Sequence, residues 1–233
     1  MRYLVIGLLF SALLGCSSKD LDELRELGYA PLTRAEVTQA LKDALSRGVT
    51  RGVAVASASD GYFGNPQLKI ELPEEAQRME TTLRKLGFGA EVDKAVLRIN
   101  RAAEEAASRA RPIFIKAITE MTIYGAFDIL NGDQDAATRY LRSSTYDELY
   151  DQFRPVIAEA LEETAATRYY DDIVTRYNAL PFTSNLDPDL AGHVTEGAID
   201  GLFVLIAEEE ARIRSNPAAR TTRLLQRVFG SLD

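Results

Sequence analysis

Residue types on which many catalytic and metal sites depend are scarce in this chain. Its 233 residues include one cysteine, Cys16, one histidine, His193, and no tryptophan. A lone cysteine excludes an internal disulfide, and a lone histidine argues against a His-based zinc site or a Ser-His-Asp triad. No glycine-rich phosphate loop or dinucleotide fingerprint is present. We therefore predict no metal ion and no cofactor.

The chain also lacks an excess of positive charge and any long apolar run beyond its N-terminus. Its 27 Lys and Arg residues face 35 Asp and Glu residues, which gives a net charge of −8. An acidic surface repels nucleic-acid phosphates, so we predict no nucleic-acid partner. Because no apolar stretch of about 20 residues follows the N-terminal segment, we expect no downstream membrane span.

The N-terminal segment differs from everything that follows it. Met1 and Arg2 precede a mostly apolar stretch from Tyr3 to Leu14, which has the length of a secretory signal rather than of a spanning helix. The sequence Leu-Leu-Gly-Cys at residues 13–16 resembles a bacterial lipobox. It predicts a signal peptide at residues 1–15 and lipidation of Cys16. A cleaved secretory peptide with an incidental cysteine and a buried N-terminal helix remain alternatives.

The residues after Cys16 favour one of the two bacterial membranes as the location of the protein. Ser17 and Ser18 stand where an acidic residue tends to retain Gram-negative lipoproteins in the inner membrane. The expected location is therefore the outer membrane, with a lipid anchor and a body on the periplasmic side. Residues 16–31 are polar enough to serve as a tether, and residues 32–233 are predicted to form a single helical domain.

The apolar pattern of that domain is helical almost throughout. It predicts an all-α fold, a compact bundle of roughly eight to ten helices with at most a minor extended segment, where Leu68, Ile70 and Leu72 alternate. Gly48 and Gly52 are expected to weaken the centre of the first helix. The predicted helices cover residues 33–59, 73–86, 90–109, 133–142, 145–165, 167–177, 188–214 and a last segment to residue 229, with a further one opening at Pro112.

One polar group stands beside the apolar stripe of the third predicted helix. Asn100 and Glu104 lie one turn apart and could share a partly buried network, and Arg101 is expected to pair with Glu105 on the adjoining face. The group Asn100, Arg101 and Glu104 could line a ligand cleft. A structural network between helices is the alternative.

Two charged stretches favour structural roles. In residues 207–214, Glu208 is expected to pair with Arg212, and Glu210 with Arg214, on a solvent-exposed face. A catalytic pair of carboxylates is geometrically poor there, because adjacent helical residues point about 100° apart.

The acidic stretch 128–138 fails the calcium-loop pattern, since its sixth position is not glycine and its twelfth is not glutamate. Asp133 and Asp135 are expected to stabilise a helix N-terminus. Gly197 and Gly201 are expected to permit the close approach of a neighbouring helix.

Several stretches resemble a known bacterial family, domain of unknown function 4197. They are DGYFGNPQLKIELPE, LRKLG, NRAAEEA, DILNGDQDAATRYLR and VTEGAIDGLFVLIAEEEARIRSNPAARTTRLLQRVFG. The resemblance implies a largely helical protein that is secreted or lipid-anchored, mostly in Gram-negative bacteria. It implies no activity, so no catalytic residue can be transferred from it.

These observations lead to three functional hypotheses. The first is a non-enzymatic outer-membrane lipoprotein that binds or scaffolds an envelope protein partner. The second is a helical carrier of a small apolar or amphipathic ligand held between helices. The third is a hydrolase or lyase that uses carboxylates such as Glu104 or Asp128.

Overall fold

The apolar residues that recur every three or four positions form the interior of a helical bundle. The computed structural model describes residues 31–181 and 189–233, and within these ranges it contains eight α-helices and no β-strand, which confirms the all-α prediction. The α-helices are α1 (Arg34–Ala56), α2 (Gln77–Lys85), α3 (Gly89–Glu120), α4 (Ala126–Leu130), α5 (Ala136–Glu163), α6 (Ala166–Asn178), α7 (Leu190–Ser215) and α8 (Arg223–Phe229). Short 3₁₀ helices lie before α2 at Glu74–Ala76, between α7 and α8 at Pro217–Ala219, and after α8 at Gly230–Leu232.

Residues Arg34–Asp233 form one compact unit, in which α1 packs between α3 and α7. The two glycines of α1 face α7. A Cβ atom at Gly48 would lie 3.0–3.2 Å from atoms of Ile206, and one at Gly52 would lie 3.1 Å from Cβ of Leu205. The cost of two glycines within a helix is thus offset by a close approach of two backbones.

Helix α7 has the most apolar composition of the four long helices in the described chain. By length and composition alone it could cross a membrane, yet 61% of its most apolar stretch is buried inside the bundle. Its buried residues include Ile199, Leu202 and Ile206, as in the central helix of a packed domain.

Two predicted helix boundaries are wrong. Pro112 lies inside α3, where its ring is exposed between the buried residues Ala110 and Phe114. Thr145 lies inside α5 rather than at a helix start, and its hydroxyl donates to the carbonyl of Leu141 at 2.6 Å. In both places the continuous apolar face outweighs a local signal that favours a new helix.

The segment between α1 and the first 3₁₀ helix, residues 57–73, contains turns and a short stretch without regular structure. Leu68, Ile70 and Leu72 are 3–4% exposed, as their alternation predicts. We call residues 57–73 the crossing segment, because it covers part of both α3 and α7.

Candidate functional site

Asn100 fixes the crossing segment to α3 through its side-chain amide. Asn100 is fully buried. Its Oδ1 accepts a hydrogen bond from the backbone N–H of Ile70 at 2.9 Å, and its Nδ2 donates to the carbonyl of the same residue at 2.8 Å. The amide therefore pairs both polar backbone groups of Ile70, as a neighbouring β-strand would do.

Glu104, one turn further along α3, binds the other end of the crossing segment. Its Oε1 accepts hydrogen bonds from the backbone N–H groups of Tyr62 and Phe63, both at 3.2 Å. Its Oε2 accepts from Nη1 of Arg101 at 2.5 Å. The carboxylate is 5% exposed and both of its oxygens are occupied by the chain itself.

Arg101 completes this group and pairs differently from the sequence prediction. Its Nη2 donates to Oδ1 of Asp60 at 2.7 Å, while Glu105 pairs with Arg109 instead. The hydrogen bonds from Arg101 to Glu104 and then to Asp60 raise the pKa of the Arg101 guanidinium. Asn100, Arg101 and Glu104 thus lie together, and each of them contacts the crossing segment.

Gly197 and Gly201 of α7 contact side chains of the crossing segment rather than a neighbouring helix. A Cβ atom at Gly201 would lie 2.7 Å from the ring of Tyr62, and one at Gly197 would lie 3.0 Å from Ile70. The Tyr62 hydroxyl donates to the carbonyl of Ala198 at 2.6 Å, and burial raises the pKa of that hydroxyl. The prediction of helix–helix contact at these two glycines is therefore wrong.

A second buried polar group joins α7 to α4 and α5, where the sequence predicted an exposed face. Glu210 pairs with Arg214 as expected, but their side chains are 0% and 2% exposed. Glu210 accepts from the backbone N–H groups of Ala137 and Thr138, at 3.0 and 2.7 Å. The Thr138 hydroxyl adds a third hydrogen bond at 2.7 Å.

Glu210 therefore takes the capping position at the start of α5. The structure places Asp135 at the N-cap position of α5, but its side chain makes no capping hydrogen bond. Asp133 and Asp135 pair instead with Arg139. The expected role of these two aspartates is filled by a carboxylate from another helix.

Arg214 completes the link on the other side. It donates to the carbonyls of Leu130 and Ile129 at 2.6 and 3.0 Å, which are the last residues of α4. Its guanidinium also lies over the ring of Phe229, 5.6 Å from the centroid. This burial was not predicted from the sequence, although Glu210 lies between Ile206 and Ile213 on the apolar stripe of α7, and that position is the signal for it.

The other predicted pair of the stretch 207–214, between Glu208 and Arg212, does not form. Arg212 binds Glu209 rather than Glu208, with Nε and Nη2 at 2.8 and 2.5 Å from the two carboxylate oxygens. Glu209 is 5% exposed, whereas Glu208 is exposed. Arg212 pairs with Glu209, three residues before it, because both side chains lie on the face of α7 that packs toward α1.

A cavity of about 270 Å³ lies between the crossing segment and α7. Its wall includes Lys69, Glu71, His193 and Asp200. The His193 Nε2 atom lies 2.8 Å from the carbonyl oxygen of Glu71, so it donates to that backbone group. In residues 31–181 and 189–233, no group of three or more His, Cys, Asp or Glu side chains is placed to hold a metal ion.

Cys16, the predicted lipidation site, lies outside the described residues. A family model described as a protein of unknown function (DUF4197) matches residues 31–230. No curated protein and no solved structure matches the chain.

Proposed function

The chain belongs to the DUF4197 family of proteins of unknown function, and we propose that it is a non-enzymatic lipoprotein of the bacterial outer membrane. In this proposal Cys16 carries the lipid, and the helical body faces the periplasm. The body binds or scaffolds another protein of the cell envelope.

The observation that carries the anchoring proposal is the sequence around Cys16. A short apolar stretch ends in Leu-Leu-Gly, and the only cysteine of the chain follows it at once. Several acyl chains on one residue give stable attachment to a bilayer, whereas one chain binds only marginally. Ser17 and Ser18 favour the outer over the inner membrane.

The non-enzymatic role is supported by the way the buried carboxylates are used. Glu104, Glu209 and Glu210 are each no more than 5% exposed. Each is bound to a guanidinium, and two of them also accept from backbone N–H groups. A general acid or base needs a proton-transfer atom within reach of a substrate, and here these oxygens hold helices and the crossing segment together.

Metabolic labelling with radioactive palmitate tests the anchor. We expect label in the wild-type protein, recovery in the outer-membrane fraction, and loss of both in Cys16→Ala. Ser17→Ala is the matched control, because it changes the neighbouring residue and leaves the thiol in place. Equal labelling of wild type and Cys16→Ala would contradict the proposal.

A further inference from the structure

An arginine-rich groove follows the solvent-exposed side of α1 and includes the Glu209–Arg212 pair of α7. It is a cavity of about 610 Å³ whose wall includes Ser46, Arg47, Thr50 and Arg51 of α1 and Arg212 of α7. Residues 46, 47, 50 and 51 recur at helical spacing, so they lie on one face. We call this cavity the arginine groove.

The buried carboxylate of Glu209 contacts two arginines of the groove wall. Glu209 holds Arg212 through two hydrogen bonds, and its Oε2 lies 3.5 Å from Nε of Arg51. The Glu209 side chain is 6% exposed, whereas those of Arg51 and Arg212 are 60% and 43% exposed. The carboxylate therefore positions two guanidinium groups and leaves their outer donors open to a ligand.

The other arginines add positive charge that the groove does not neutralise. Arg47 has no acidic partner among the residues that the structure describes. Arg111 of α3 reaches the edge of the groove, where its Nε lies 3.5 Å from the hydroxyl of Thr50. Among the described residues that line the cavity, Arg47, Arg51 and Arg212 face the carboxylates of Asp43 and Glu209, which gives 3 − 2 = +1. Arg111 adds a further positive charge at the edge, in a chain whose net charge is −8.

We propose that the arginine groove binds an acidic peptide segment of a partner protein. Arg47 and Arg51 lie four residues apart, about 6 Å along the helix axis. Carboxylates spaced by one helical turn, or by two residues of an extended chain, match that separation. The Glu209–Arg212 pair shows how a carboxylate is bound at this wall, by two parallel N–H donors.

The inference rests on the proposed role as a binding module and names the chemistry of its partner. It does not depend on the lipid at Cys16. Failure of peptide binding and failure of palmitate labelling are therefore separate results.

The test is fluorescence polarisation with a labelled deca-glutamate peptide and the full-length protein in non-ionic detergent. We expect binding that weakens with salt, and little binding of a deca-lysine peptide. Arg47→Ala combined with Arg51→Ala should weaken binding by about tenfold or more, since it removes two charge-assisted contacts. Arg47→Glu alone should have a similar effect and leaves the fold intact, because Arg47 has no partner to lose.

The matched controls carry the same change of charge elsewhere on the surface. Arg78→Ala combined with Lys85→Ala, and Arg78→Glu alone, alter exposed cations of α2. We expect each control to bind within about twofold of wild type. Equal weakening by the groove and control variants, or no binding by wild type, would overturn the proposal.

Two further measurements distinguish an acidic partner peptide from other occupants of the arginine groove. Tripolyphosphate that binds the groove more tightly than the peptide would overturn the assignment to carboxylates. Asp22→Asn, Glu23→Gln and Glu26→Gln together neutralise much of the acidic tether. An increase in peptide affinity of about tenfold in that variant would assign the groove to the chain's own tether instead of a partner.

Discussion

Replacing Glu210 by alanine tests whether the buried link between α4, α5 and α7 stabilises the fold. The change removes the acceptor of three hydrogen bonds from Ala137 and Thr138. It also leaves the charge of Arg214 buried, because that side chain is 2% exposed and Glu210 is its ion-pair partner.

The expected decrease in the free energy of unfolding follows from these two losses. Removing one member of a buried ion pair costs about 3–5 kcal/mol in the free energy of unfolding. Each buried N–H group left without an acceptor costs about 1–3 kcal/mol. The two costs overlap, since they describe the same side chain, so we expect about 3–5 kcal/mol in total. For a domain of this size the melting temperature should fall by about 6–20 °C.

Urea denaturation followed by circular dichroism at 222 nm measures the loss. Glu208→Ala is the control on the same helix, where an exposed glutamate is lost at a cost of about 0.5 kcal/mol or less. The double variant Glu210→Ala and Arg214→Ala should lose less than the sum of the two single variants, because no unpaired charge remains. A loss below about 1 kcal/mol for Glu210→Ala would refute the reasoning.

Two other substitutions test the packing and the acid stability of α7. Gly201→Ala should destabilise the protein by about 1–3 kcal/mol in urea denaturation, because the new Cβ would lie 2.7 Å from the fully buried ring of Tyr62; unchanged stability would show that the ring can move. Asp189 accepts a hydrogen bond from the N–H of Gly192 and, secondly, from Arg154, and both lower the pKa of its carboxyl. A lowered pKa in the folded state stabilises the protein above the ordinary aspartate pKa, and this contribution is lost as the pH falls through the lowered value. The acid side of the stability profile below about pH 4 should therefore be flatter for Asp189→Asn, and an identical profile would contradict that assignment.

The helices could be predicted because their apolar residues repeat with one period over many turns. Val37, Leu41 and Leu45 of α1 are all fully buried, as that period requires. Pro112 and Thr145 gave wrong boundaries because a proline or a capping pattern acts on a single turn. The energy of burying a long apolar face exceeds such a local preference.

The polar groups were harder to predict because their partners are distant in sequence. Asn100 and Glu104 were correctly placed beside the apolar stripe, but nothing near them in the chain indicates the crossing segment, 30 to 42 residues earlier. Glu210 was assigned to solvent because its neighbours are charged, although its helical position lies on the apolar side. Charge along a sequence predicts exposure less well than position on a helix.

The intact mass of the protein isolated from bacterial envelopes tests the proposed function most directly. We expect a chain that begins at Cys16 and carries a diacylglyceryl group on sulfur and an acyl group on the new N-terminus. A chain that retains Met1 and an unmodified Cys16 would contradict the outer-membrane lipoprotein proposal.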